Sequence, residues 1–220
     1  MTLILFAGQS NAVGFGNTGP APYAPTPRVQ IWTDVNHNGA WDIGDNFAMM
    51  VPAGAWGPEV QFANDWLAEN PTGTLWIGKV AKGETDLAED WAPGGVMYDK
   101  AQTVAIHMQA NQGVHGIDAL MWMQGESDAF DFGAASAYHD RLDTFVDHAI
   151  GWGVQEVIMG RIADAQPYAS EVRYAQWLVD QEREDVTSFR TLGFEMQGDG
   201  VHYSAAGHVA LGHAFWEAWT

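Results

Sequence analysis

A chain of 220 residues suits one domain with a sizeable core, and 47% hydrophobic against 17% charged residues is the balance of a globular protein rather than a disordered one. Its 28 acidic and 9 basic side chains give a formal net charge of -19 with no Lys/Arg cluster to offset it, which argues against nucleic acid and anionic membrane surfaces as partners. Cysteine is absent, so disulfides, thiolate metal sites and a cysteine nucleophile are excluded.

The opening residues 1–8 are apolar but carry no basic flank and are too short for a signal peptide. No stretch approaches the roughly 20 apolar residues that span a bilayer. Residues 3–7 instead predict a first buried strand. Residues 14–58 follow, with most of the prolines, many glycines and little periodicity, and read as a long irregular excursion holding one strand at 29–32. Then helical and strand patterns alternate: helix 59–70, strand 74–80, helix 98–112, strand 119–123, helix 134–151, strand 156–161, helix 168–184, a weaker strand at 188–192 and a last helix at 205–219. Within 134–151, Tyr138, Leu142, Phe145, Val146 and Ala149 recur at helical spacing, with Asp and Arg on the opposite face. Alternation of this kind predicts an α/β fold, one domain over residues 1–220 with a central parallel sheet and helices on both faces.

The chemistry lies at the two ends of the chain. Gly8-Gln9-Ser10-Asn11 follows the first strand, and Asp199-Gly200-Val201-His202 precedes the last helix. A serine just past the carboxyl end of a strand sits on the rim where open α/β sheets bind ligands. An Asp three residues before a His can orient the imidazole from one ring nitrogen while the other takes the serine proton. At a helix N-terminus Ser10 also keeps its own N–H free as an oxyanion donor, although a serine there serves equally as a helix cap. Position 12 is Ala, so this is not the Gly-x-Ser-x-Gly elbow.

Two further blocks end strands on the same edge: Lys79-Val-Ala-Lys-Gly83-Glu84-Thr85-Asp86-Leu87 and Trp122-Met-Gln124-Gly125-Glu126-Ser127-Asp128. With Gly57-Pro58-Glu59 before a helix, these residues resemble the sialate O-acetylesterase-like branch of the SGNH hydrolases, in order from Gly8 to about Gly207. The resemblance implies a three-layer α/β/α sandwich of flavodoxin-like type, an acetylated carbohydrate as substrate, and no cofactor for catalysis. It implies Ser10 as nucleophile, His202 as base and Asp199 as its orienter. It also implies an oxyanion hole from the Ser10 amide, a backbone amide of the Gly83–Glu84 turn and the Gln124 side chain. Gln9, Asn11, Trp91 and Glu126 are the candidate substrate contacts. Gln124 reads alternatively as a satisfied buried amide, and Glu126 and Asp128 as turn-stabilising partners. The chain departs from the family at Glu84, where a second glycine is usual, and a backbone donor there survives only if position 84 needs no positive φ.

Outside the resemblance, Asp34, Asn36, Asn38, Asp42 and Asp45 place oxygen side chains at calcium-loop positions 1, 3, 5, 9 and 12, with Gly39 at 6, and suggest a structural calcium. A loop rich in Gly, Asn and Asp gives that composition freely. His208 and His213 fall on different faces of the last helix and do not form a metal site with His202.

Overall fold

The computed structural model describes residues 1–17, 20–33, 46–50, 56–163 and 165–220. The expected calcium loop at 34–45 lies outside them.

β1 (Thr2–Gly8) is buried from Leu3 onward and forms the centre of a seven-stranded sheet. It pairs in parallel with β4 (Leu75–Ala81) on one side and β5 (Ala119–Met123) on the other. Gly8 lies opposite both Ala81 and Met123, so the last residues of all three strands are level. The turns that follow them therefore begin side by side, on the rim where the strand order reverses. β6 (Val157–Arg161) and β7 (Val186–Arg190) extend the parallel sheet beyond β5, and β2 (Val29–Thr33) lies outside β4.

The sheet is not wholly parallel. β3 (Asn46–Met49) runs antiparallel on β2 as an edge strand, within the excursion where no periodicity marked it. Phe47 holds it there, meeting Trp32 at 4.9 Å and Trp76 at 4.7 Å, both edge-on. The strand expected at 188–192 lies two residues earlier.

α2 (Glu59–Glu69) and α7 (Ala205–Trp219) pack together on one face of the sheet. Phe6 of β1 meets Phe62 and Phe215 of those helices at 5.4 and 5.9 Å. Each of these rings is buried, and truncating one to Ala costs about 3–5 kcal/mol in such a core. α3 (Val96–Gln112), α5 (Tyr138–Gly151) and α6 (Ala169–Glu182) cover the other face. A Cβ on Gly78 of β4 would lie 2.3 Å from the Met108 sulfur, so α3 seats directly on the strand there. The single helix expected over 134–151 is two: α4 (Phe132–Ser136), capped by Asp131 accepting from the Ala134 N–H, and α5, separated at Ala137. One short helix, α1 (Ser10–Val13), directly follows β1.

Candidate active site

The site begins with a close approach. Gly8 has φ +142°, and a Cβ there would lie 1.9 Å from the Met123 carbonyl oxygen. Only glycine lets β1 turn against β5 at this point. Gln9 then donates its N–H to Met123 O at 2.9 Å, and the chain enters α1 with Ser10. Gly14, with φ +91°, ends that helix by donating to Ser10 O at 3.1 Å. Ser10 thus stands at the start of a helix, where backbone N–H groups have no intrahelical acceptor. Gly83, just after β4, faces it: a Cβ on Gly83 would lie 3.6 Å from Ser10 Cβ.

Asn11 brings in the other end of the chain. Its Nδ2 donates to Val201 O at 3.0 Å, and its Oδ1 accepts from the Tyr203 N–H at 3.1 Å. The residue between those two is His202, and the residue before Asn11 is Ser10. One buried amide therefore fixes the histidine loop against the serine helix. His202 Nδ1 lies 2.7 Å from Asp199 Oδ2, while Asp199 Oδ1 accepts from the Val201 and His202 N–H groups at 2.9 and 3.0 Å. Those bonds, the backbone one from His202 first and its ring second, hold the Asp199 carboxyl down at about 2. An ionised carboxylate only accepts, so Nδ1 carries the ring hydrogen and neutral His202 presents its Nε2 lone pair. The exposed Phe15 ring packs on the imidazole at 4.6 Å. Gln197 fastens this loop, donating its N–H to His202 O at 2.7 Å and its Nε2 to Phe15 O at 2.9 Å. Neither Phe15 nor Gln197 stood out in the sequence, because neither has a chemistry-bearing pattern around it.

Five expected site residues have their side chains engaged elsewhere. Gln124 is fully buried, and its Nε2 donates to Thr85 O at 2.9 Å and to Asp128 Oδ2 at 2.7 Å. Its Oε1 accepts from Tyr138 Oη at 3.0 Å, so both amide hydrogens are committed and none is left for an oxyanion. Gln9 is buried, with Oε1 accepting from the Gly125 and Ser127 N–H groups. Glu126 is buried and accepts from Asn11 Nδ2 at 2.6 Å, bracing the clamp from below rather than meeting a sugar. Trp91 is buried too, its Nε1 donating to Thr85 Oγ1 and its ring edge-on to Trp122 at 4.8 Å, which makes it core and not a stacking platform. Asn11 belongs with these: its amide is consumed by the clamp.

Glu84 is the one non-glycine residue with positive φ among the described residues, at +62°. The condition read from the sequence, that a backbone donor survives only without a positive φ at 84, is thus not met and was too strict. The exposed glutamate itself adopts the left-handed conformation a glycine favours, so the turn keeps its backbone course while Glu84 bears the strain. Glu84→Gly should raise stability by about 1 kcal/mol with turnover no lower, read from the denaturant midpoint and aryl-acetate rates. A less stable variant would mean the Glu84 side chain offsets its own backbone cost.

Burial sets the remaining charges. It pushes the Glu126 carboxyl up, against the bond from Asn11, and raises Asp128 to about 6 despite its bonds from Gln124 and Leu87. Below the ordinary carboxylate range Asp128 is protonated in both folded and unfolded chains. Above it the unfolded chain ionises first, so stability falls as pH rises towards and past about 6. Asp128→Asn should flatten the melting temperature between about pH 4 and 7 relative to the parent. An unchanged slope would locate the titration elsewhere. His208 lies wholly buried beside Trp56 and Tyr203, its pKa pushed down to about 4 by burial. His213 pairs instead with Asp65 at 2.9 Å on the surface.

Strand order, register and the loops gathered at the level ends of β4, β1 and β5 define an α/β/α sandwich of the SGNH, flavodoxin-like kind. A family model described as carbohydrate esterase, sialic acid-specific acetylesterase, matches residues 1–220, and the chain belongs to that family. A probable carbohydrate esterase of Arabidopsis thaliana is 27% identical over 168 residues, 74% of this chain. That match spans 63% of the relative, less than two thirds of its length. The X-ray structure of an Arabidopsis thaliana protein is similar with a TM-score of 0.82 at 21% identity, covering 100% of this chain and 98% of that one. A carbohydrate acetylesterase from Xanthomonas citri gives a TM-score of 0.70 at 15% identity, covering 99% of this chain and 55% of the other.

Proposed function

We propose that this protein is a serine esterase that removes acetyl groups from a carbohydrate. The observation that supports the reading is the Asn11 clamp, which ties the loop carrying the Asp199-bonded His202 to the helix that begins at Ser10. Ser10 Oγ attacks the ester carbonyl while His202 Nε2 takes its proton. The developing oxyanion is received by the Ser10 N–H and a backbone N–H of the Gly83–Glu84 turn, without Gln124. The C–O bond to the sugar breaks, His202 returns the proton to the leaving hydroxyl, and an acetyl-serine remains. Water, deprotonated by His202, releases acetate and restores Ser10. The family's description and the printed activities of the two relatives support acetylated carbohydrate as the substrate class.

An active-site organophosphorus reagent tests this directly. The expected result is one equivalent of label on the peptide containing Ser10, with activity lost in step. A panel of acetylated xylan, pectin fragments, acetylated sialic acids and aryl acetates then ranks the substrates. Full activity in protein labelled elsewhere, or no acetate released from any of the panel, would overturn the reading.

A further inference from the structure

A second recognition feature lies on the same rim, across β6 and β7. Arg161 and Arg190 end those strands and are direct partners in the parallel register. Together with Arg173, Tyr174 and Trp177 of α6 and with Leu192, they line a groove of about 380 Å³. The chain has 28 acidic side chains and only 9 basic ones, yet three of the nine converge here.

Arg183, by contrast, holds Asp143, Asp147 and Asp185 at 2.7–2.8 Å. Arg161 and Arg190 make no ion pair among the described residues, and Arg161 Nε is buried without a hydrogen-bond partner. Asp180, the acidic group whose charge Arg161 feels, accepts instead from Ser188 Oγ at 2.7 Å. Burial and the neighbouring Arg190 charge both push the Arg161 pKa down, as expected for like charges held together without a counterion. Two guanidinium forks side by side suit a carboxylate. Beside them the exposed Tyr174 and Trp177 rings lie 5.5 Å apart at 37°, offering apolar faces to a sugar ring.

The groove neighbours a depression that reaches the catalytic loop. That depression, of about 330 Å³, shares Thr191 and Leu192 with the groove and reaches Phe194, Met196 and Gly200, next to Asp199. β6 and β7 lie two and three strands from β1, roughly 10–15 Å at the usual spacing, a length a short oligosaccharide covers.

We propose that the Arg161–Arg190 groove is an outer subsite for a carboxylate-bearing sugar, a uronate residue of a glycan whose acetylated residue is presented to Ser10. The assignment rests on the esterase reading for the second half of that statement, but the binding half can be measured alone. Unacetylated oligogalacturonate and a neutral xylo-oligosaccharide of equal length are titrated into the native protein, following tryptophan fluorescence and heat. The uronate should bind at least about tenfold more tightly, an advantage lost at high salt and in Arg190→Gln and Arg161→Gln variants with parental melting temperatures. With acetylated ligands, the ratio of kcat/KM for uronate-bearing over neutral oligosaccharides should fall towards one in the same variants. Equal binding of the two glycans, or variants that keep the preference, would overturn the proposal. Inorganic polyphosphate binding more tightly than the uronate would overturn it in favour of a phosphate site. Uronate binding with no acetate released from any ester would sink the esterase reading and leave the subsite standing.

Discussion

Ser10→Ala and His202→Ala are each expected to lower aryl-acetate turnover by at least about a thousandfold, with the fold intact. Ser10 Oγ makes no hydrogen bond to another described residue, so its removal leaves no partner stranded. His202 is held by its backbone as well as its ring, since its N–H goes to Asp199 and its carbonyl to Gln197. The loop should therefore keep its course when the ring is gone. Because nucleophile and base act as one unit, the double variant should be no slower than the slower single variant. Turnover and melting temperature measured on all three proteins decide the matter. Either single variant retaining near-parental turnover would end the mechanism.

Asn11→Ala should also be damaging, on a smaller scale and by a different route. The side chain makes three hydrogen bonds, to Val201, Tyr203 and Glu126, at 2.6–3.1 Å. Its loss strands a buried backbone N–H and leaves the Glu126 carboxyl, whose other oxygen is already without a hydrogen bond, with no partner. Such losses cost about 2–4 kcal/mol together. Beyond that, the histidine loop is no longer tied to α1, and a displacement of about 1 Å is worth about a hundredfold in rate. A fall in urea midpoint together with a fall in kcat is the expected pair. Lost stability with unchanged kcat would show that Asp199 and Gln197 position His202 without the clamp.

The parts of this site that were legible in the sequence are those where chemistry and chain position coincide. Ser10 past a buried apolar strand and Asp199 three residues before His202 carry their own geometry, and the Asp199–His202 bond forms as that spacing implies. Direction was harder to read. Gln124 and Glu126 follow β5 at the right rim and Trp91 lies further along from β4, yet each turns inward, because outside a strand the partner a side chain meets decides between rim and core. Asn11 was read as a substrate contact, but its amide goes to partners far along the chain: its acceptors Glu126 Oε1 and Val201 O lie 115 and 190 residues away. β3 escaped notice for another reason. An edge strand of four residues, fixed by the Phe47 contacts with Trp32 and Trp76, has too few residues to show a period. β7 shifted because its burial is partial, so apolar residues mark its limits poorly.

The clamp also bears on how activity arises during folding. Asn11 and Tyr203 are 192 residues apart, so the serine helix emerges long before its base exists. A nascent chain can complete β1, α1 and the central strands and still have no imidazole to receive the proton. The histidine loop is anchored through Asn11 only once the C-terminal segment has docked, and the α2–α7 contact within that docking spans most of the chain, a slow kind to form. Hydrolysis thus becomes a readout of completed topology. In a refolding experiment it should return only with the final, long-range phase, after the secondary structure has recovered.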